Sequence, residues 1–306
     1  MARPIFAFPL TLAGLTLAGA GCAAAHGAPA TLPDVRVFLA QNRCADGALA
    51  VAEPRCVGAA PQRARDAMRM RRRDWPAPDG YQIGDSYESD DGAYFVTVFS
   101  YAPFEAFIPE HGDGGELYVT DGTTVRIAAT EDGGQMGVVQ GFYGQGCGGT
   151  GWVLFRNDAP TGRWAELVAH LKGEPLGSAC SARSSAYTRY RLETVALPFI
   201  IQGAPRTLTL PTVISEHFNA ASLQRSSAME RSFMVQGVGR AIWEAWTKGP
   251  PAGRNLADRC PATAWSVAPA PGWTLSDCRV STNLVAADGA MSGDGYGWPR
   301  PGLTLP

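Results

Sequence analysis

Between Thr207 and Thr247 the chain concentrates Glu216, His217, Glu230, Arg231, Trp243, Glu244 and Trp246. Two carboxylates on neighbouring strands are what glycoside hydrolysis requires, one as acid and the other as nucleophile or base. Glu216, Glu230 and Glu244 are therefore the candidate catalytic residues. Glu216 and Glu230 are the first choice, with Glu244 in an orienting role. Trp243 and Trp246 offer faces for sugar rings, and His217 and Arg231 complete the candidate substrate-binding set. A polysaccharide lyase would use the same residues differently, with Arg231 neutralising a uronate and His217 as base. The plainer reading has the three acids solvated or tied to Arg231 and Arg240, with at least one tryptophan in the core.

These residues need strands to bring them together. Thr207–Phe218, Met229–Gln236 and Arg240–Thr247 are rich in β-formers, and Gly237-Val238-Gly239 separates the last two as a hairpin turn. Side chains alternate faces along a strand. Glu216 thus opposes Ser215 and His217, and Glu230 opposes Arg231. Pairing Val235 with Arg240 sets Arg231 opposite Glu244, and a slip of one residue abolishes that pair.

The rest of the chain repeats the pattern. Ala93–Tyr101, Glu116–Thr120, Thr123–Ala129, Met136–Tyr143, Gly151–Arg156, Tyr187–Ile201 (interrupted at Pro198) and Cys278–Val285 read as strands. Asp121-Gly122 between two of them is a hairpin signal. Trp164, Leu167, Val168 and Leu171 match one face of a helix, with His170 beside it. Gly144-Gln145-Gly146-Cys147-Gly148-Gly149 has the letters of a nucleotide-binding loop but lies between strands, so it reads as a turn. Glu105–Glu116, with Glu110, His111 and Asp113, reads as a solvated loop, since its acids lack the alternation of a calcium loop. The expected fold is all-β: an antiparallel β-sandwich, jelly-roll-like, with one short helix and disulfide-stapled loops.

Arg3 followed by the apolar run Ile5–Ala20 and small residues to Ala30 has the layout of a secretory signal peptide. Residues 1–30 are then a leader, and 31–306 form a single β-rich extracytoplasmic domain, periplasmic, secreted or at the cell surface. Its C-terminal part from 249 is rich in Gly and Pro. Cys22 offers a lipid-anchoring alternative. The other cysteines, Cys44, Cys56, Cys147, Cys180, Cys260 and Cys278, are even in number, as disulfides demand. Their spacing suggests the pairs 44–56, 147–180 and 260–278. No Cys-x-x-Cys or His-x-x-x-His spacing occurs, so no metal is expected. With no P-loop, no nucleophile elbow and no His-Glu-x-x-His, no cofactor is expected either.

No later stretch approaches the about 20 apolar residues of a membrane span, so the mature chain is not expected to be transmembrane. A net charge of −2 gives no global pull towards nucleic acid. The one dense basic stretch, Arg63 to Arg73, is followed by Asp85, Glu88, Asp90 and Asp91, and the two are expected to face each other or to be solvated. The composite expectation is an exported carbohydrate-active protein, a glycoside hydrolase or lyase acting on an extracellular polysaccharide. The alternative is a non-catalytic cell-envelope glycan-binding or structural module.

Overall fold

The alternating segments do become strands. In this computed structural model the described residues are 32, 34–46, 48–61, 81–88, 94–101, 114–131, 139–141, 151–172, 183–201, 204–250 and 267–284. The leader, the Arg63–Arg73 stretch, the glycine-rich turn, Asp90, Asp91, Glu110, His111, Asp113, Cys147, Cys180 and Cys260 lie outside them.

A small hairpin pairs β1 (Asn42–Arg43) with β2 (Ala60–Pro61). The main sheet contains β3 (Tyr81–Glu88), β4 (Tyr94–Tyr101), β5 (Gly114–Thr120), β6 (Thr124–Glu131), β7 (Val139–Gly141), β8 (Trp152–Arg156) and β9 (Ala165–Lys172). It continues with β10 (Arg183–Ile201), β11 (Ala204–Phe218), β12 (Ala228–Val235), β13 (Gly239–Lys248) and β14 (Trp273–Leu284). Neighbours run β7-β6-β5-β4-β3-β14-β13-β12-β11-β10-β9, with β8 on the edge of β6. Two antiparallel meanders are thus joined by one parallel pairing, Tyr81 of β3 with Val280 of β14. The β10 and β14 strands touch again over two residue pairs, without closing a barrel.

Burial explains the folding back. Phe95, Tyr118, Val125, Leu154 and Phe155 from β4, β5, β6 and β8 share one apolar cluster with Tyr190, Val213 and Met234 from β10 to β12. The first meander therefore covers one face of the second. Hydrogen bonds tie the cover down. The Ser215 hydroxyl donates to Leu154 O at 2.6 Å and the Thr188 hydroxyl to Val153 O at 3.1 Å.

Several expectations are met at the level of single residues. Asp121-Gly122 turns the β5–β6 hairpin, with Gly122 at φ 85°. The Thr123 hydroxyl and the amides of Thr123 and Thr124 bond Asp121 and hold its carboxyl down at about 2. The Cys44–Cys56 disulfide is present. Closing a loop of that size stabilises by about 3 kcal/mol in the chain-entropy description. Cys278 is also disulfide-bonded.

Others are corrected. Trp164–Leu171 is not a helix: Ala165–Lys172 is β9. Ala165, Leu167, Ala169 and Leu171 turn inwards while Glu166, Val168 and His170 are exposed, a period of two that the helical template overlaps. Among the described residues the only helices are two 3-10 turns, Val35–Phe38 and Ala50–Ala52. Pro198 does not interrupt β10. It pairs with Thr207 in a stretch of β10 that neither β9 nor β14 pairs among the described residues, where a missing N–H is tolerated. Glu116, placed in a solvated loop, and Glu88, placed in a solvated or basic-facing cluster, are both buried strand residues.

The N-terminal segment clasps the β12–β13 turn. Gly237 N donates to Val37 O at 2.7 Å, and Asn42 N donates to Gly237 O at 3.0 Å. Gly237 has φ 72°, and a Cβ there would stand 2.8 Å from Val51 Cγ1. Gly237→Ala is expected to destabilise by about 1–3 kcal/mol from backbone strain alone. Urea unfolding of the variant checks this, and an unchanged midpoint would refute it.

Candidate functional site

Cross-strand register builds the first half of the site. Arg189, Glu216, Arg231 and Glu244 stand opposite one another in a single row over β10, β11, β12 and β13. The expected Arg231–Glu244 pair is there, by a different route at the turn. Val235 pairs with Gly239 and Met234 with Arg240, and Ala241 is left out as a bulge that restores the Phe233–Ile242 register.

The row is a continuous chain of ion pairs. Arg231 Nε and Nη2 donate to Glu216 Oε1 at 2.8 and 2.6 Å, and Nη1 donates to Glu244 Oε2 at 2.7 Å. Arg189 Nε donates to Glu216 Oε2 at 2.5 Å, and Trp246 Nε1 to Glu244 Oε2 at 2.8 Å. Arg231 also stacks over the Trp246 ring at 5.1 Å. Glu216, Glu244 and Arg231 are 0%, 1% and 4% exposed. Apolar clusters flank the row, with Ile214, Phe233 and Ile242 in one and Phe218, Met229 and Trp246 in the other. Such buried charges persist only when paired and hydrogen-bonded.

Glu230 lies elsewhere. Strand alternation puts it with Ser215, His217 and Trp243 on the face covered by β8, where it is exposed and accepts a hydrogen bond from Trp243 Nε1 at 3.2 Å. The three candidate glutamates therefore do not line one surface. The tryptophans divide likewise, Trp246 buried on the ion-pair face and Trp243 half-buried on the other.

The covered face holds a pocket of ≈ 250 Å³. Trp152, Leu154 and Ile127 supply apolar side chains to it, strand positions Met229 and Trp246 border it, and Glu116, His217, Asn219 and Glu230 are among its polar groups. His217 is fixed by its surroundings. Its Nε2 lies 3.0 Å from Ser215 Oγ, whose only proton is committed to Leu154 O, so the imidazole N–H is assigned as the donor. Trp152 meets the ring edge-on at 5.6 Å between centroids. Burial pushes His217 down to about 3, against a smaller opposite pull from a backbone hydrogen bond at Glu230. The ring is therefore neutral at physiological pH. Glu116 is bonded by the Tyr118 hydroxyl and the Arg240 guanidinium.

No family model matches the chain, and no curated protein or solved structure matches it. Among the described residues no group of three or more His, Cys, Asp or Glu is placed to hold a metal, and no helix is long and apolar enough to cross a membrane.

Trp152, Glu116, Arg189 and Trp164 were not legible as site residues. Each comes from a strand or loop outside Thr207–Thr247: the pairing of β10 brings in Arg189 beside Trp164, the cover of β8 brings in Trp152, and the Arg240 contact brings in Glu116 from β5. Trp164 and Arg189 line a second, smaller cleft of ≈ 160 Å³ on the ion-pair face.

Proposed function

We propose that this protein is an exported, non-catalytic module of the cell envelope that binds a glycan in the pocket beneath β8. The carrying observation is the make-up of that pocket: apolar walls with Trp152, a neutral His217, and a few polar groups around them. Concave, largely apolar sites with sparse polar groups are the usual form of a ligand pocket. A sugar ring presents an apolar face to an indole and its hydroxyls to groups such as Asn219 and Glu230. The two packed meanders are, on this reading, a sandwich-like scaffold for the pocket. Export is supported by the leader-like first thirty residues and by the Cys44–Cys56 disulfide.

Binding is favoured over catalysis at the ion-pair face because Glu216 and Glu244 are both engaged by Arg231. One observation favours a hydrolase as the second reading: Glu116 and Glu230 line the same pocket. The test uses a panel of neutral cell-wall oligosaccharides, read by tryptophan fluorescence and by release of reducing ends. Binding without release is expected. Trp152→Ala should weaken binding roughly tenfold or more, the loss of one aromatic contact with its buried area. Equal affinity of wild type and Trp152→Ala for every member, or no binding at all, would overturn the assignment. Release that disappears in Glu230→Gln with binding intact would establish the hydrolase instead.

A further inference from the structure

The ≈ 160 Å³ cleft on the other face has a different chemistry. It is lined by Trp164, Arg189, Arg191, Glu216, Arg231 and the backbone at Pro269, among others. Three of these side chains are guanidinium and only one is carboxylate. Arg231 is fully employed by Glu216, Glu244 and Val267 O. Arg189 and Arg191 are not.

Both pack against one indole. Arg189 lies 4.5 Å and Arg191 4.3 Å from the Trp164 ring centre. Arg189 spends Nε on Glu216 and Nη2 on Pro269 O, and its Nη1 makes no hydrogen bond among the described residues. Arg191 has less. Glu193 Oε1 stands 2.9 Å from its Nε, but off the N–H direction, so the contact is ionic and the buried Nε is left without a hydrogen bond. Neither Nη of Arg191 bonds another described residue, and the side chain is 29% exposed. The indole holds both guanidiniums in place, which removes part of the entropy cost of fixing long side chains on a ligand.

We propose that this cleft is an oxoanion-binding site, with the Arg191 Nη groups and Arg189 Nη1 as donors and Trp164 as the platform that orients them. Its ligand carries a carboxylate or phosphate group small enough for the cleft, such as the acid group of a uronate or a free phosphate. Guanidinium donors suit either oxoanion, because paired N–H groups meet paired oxygens. The cleft shares no lining residue with the pocket beneath β8. It therefore stands or falls independently of the glycan reading.

The experiment is calorimetric titration of the full chain with galacturonate, with galactose as the uncharged control, and with inorganic phosphate. Galacturonate or phosphate should bind in a way that Arg191→Gln weakens, whereas any galactose binding, which belongs to the pocket beneath β8, should be indifferent to Arg191→Gln. Binding of galacturonate identifies a carboxylate ligand, and binding of phosphate alone identifies a phosphate one. Arg191→Gln should weaken the anion about 10- to 100-fold, the loss of charge-assisted hydrogen bonds, with the melting temperature unchanged. Glu193→Gln removes the competing carboxylate and should tighten binding. Trp152→Ala should leave it as it was. Galactose binding that Arg191→Gln weakens as much as it weakens galacturonate, equal anion affinity in wild type and Arg191→Gln, weaker anion binding in Glu193→Gln, or no anion binding by the wild type each overturns the proposal.

Discussion

Arg231→Met is expected to destabilise the fold by about 3–5 kcal/mol, the loss seen when one partner of a buried ion pair is removed. Methionine fills most of the arginine stem's volume, so the loss is electrostatic and not a cavity effect. Arg231 supplies two hydrogen bonds to Glu216 and one to Glu244. Without it Glu216 keeps Arg189, while Glu244 keeps the Trp246 indole but loses the Arg231 guanidinium. At roughly 2–4 °C per kcal/mol for a large domain, the melting temperature should fall by about 6–20 °C. The triple variant Arg231→Met, Glu216→Gln, Glu244→Gln leaves no buried acid in the row and should recover part of the loss, since neutral replacement of a buried ion cluster is often tolerated. A melting temperature for Arg231→Met within about 2 °C of wild type would refute the structural role of the row.

Acid should unfold the protein through His217. Its folded value is about 3 against 6.5 for the free side chain, because burial disfavours the cation. The unfolded chain therefore takes up the proton first. The contribution of this group is complete above pH 6.5 and is lost progressively as the pH falls from 6.5 towards 3. The slope approaches about 1.4 kcal/mol per pH unit, one proton's worth. Urea midpoints measured from pH 7 to pH 4 should fall more steeply for wild type than for His217→Gln, which keeps a side-chain donor for Ser215 and cannot titrate. Parallel pH profiles for the two proteins would sink this assignment.

What could be read in advance was whatever depends on local alternation. Arg231 facing Glu244, Glu216 facing away from His217, and the Asp121-Gly122 turn all follow from a period of two and a short-range signal. The same alternation already separated Glu230 from Arg231, yet density of acids in sequence suggested one shared site. Density along a chain is a poor guide when consecutive strands present two faces. The Trp164–Leu171 misreading has a related cause. Apolar residues at 165, 167, 169 and 171 carry the strand period, and the addition of Trp164 and Val168 satisfies the helix period too. Only pairing with β10 decides between them. What covers each face could not be read at all. Trp152 reaches His217, and Arg189 reaches Glu216, through contacts between segments far apart in the chain.

The parallel join of β3 to β14 also bears on how the chain assembles. Every other neighbour on the main path from β3 to β7 and from β9 to β14 is next in sequence and can pair as a hairpin. Tyr81 meets Val280 only when nearly the whole described chain is present. Until then both meanders keep an open edge, with unpaired N–H and C=O groups available to other chains. Pairing at such long range carries a large loop-closure entropy and makes folding slow. A chain emerging from its N-terminus must therefore hold one edge of β3 unpaired through most of its synthesis, and the last described strand to appear is the one that protects the first strand of the main sheet.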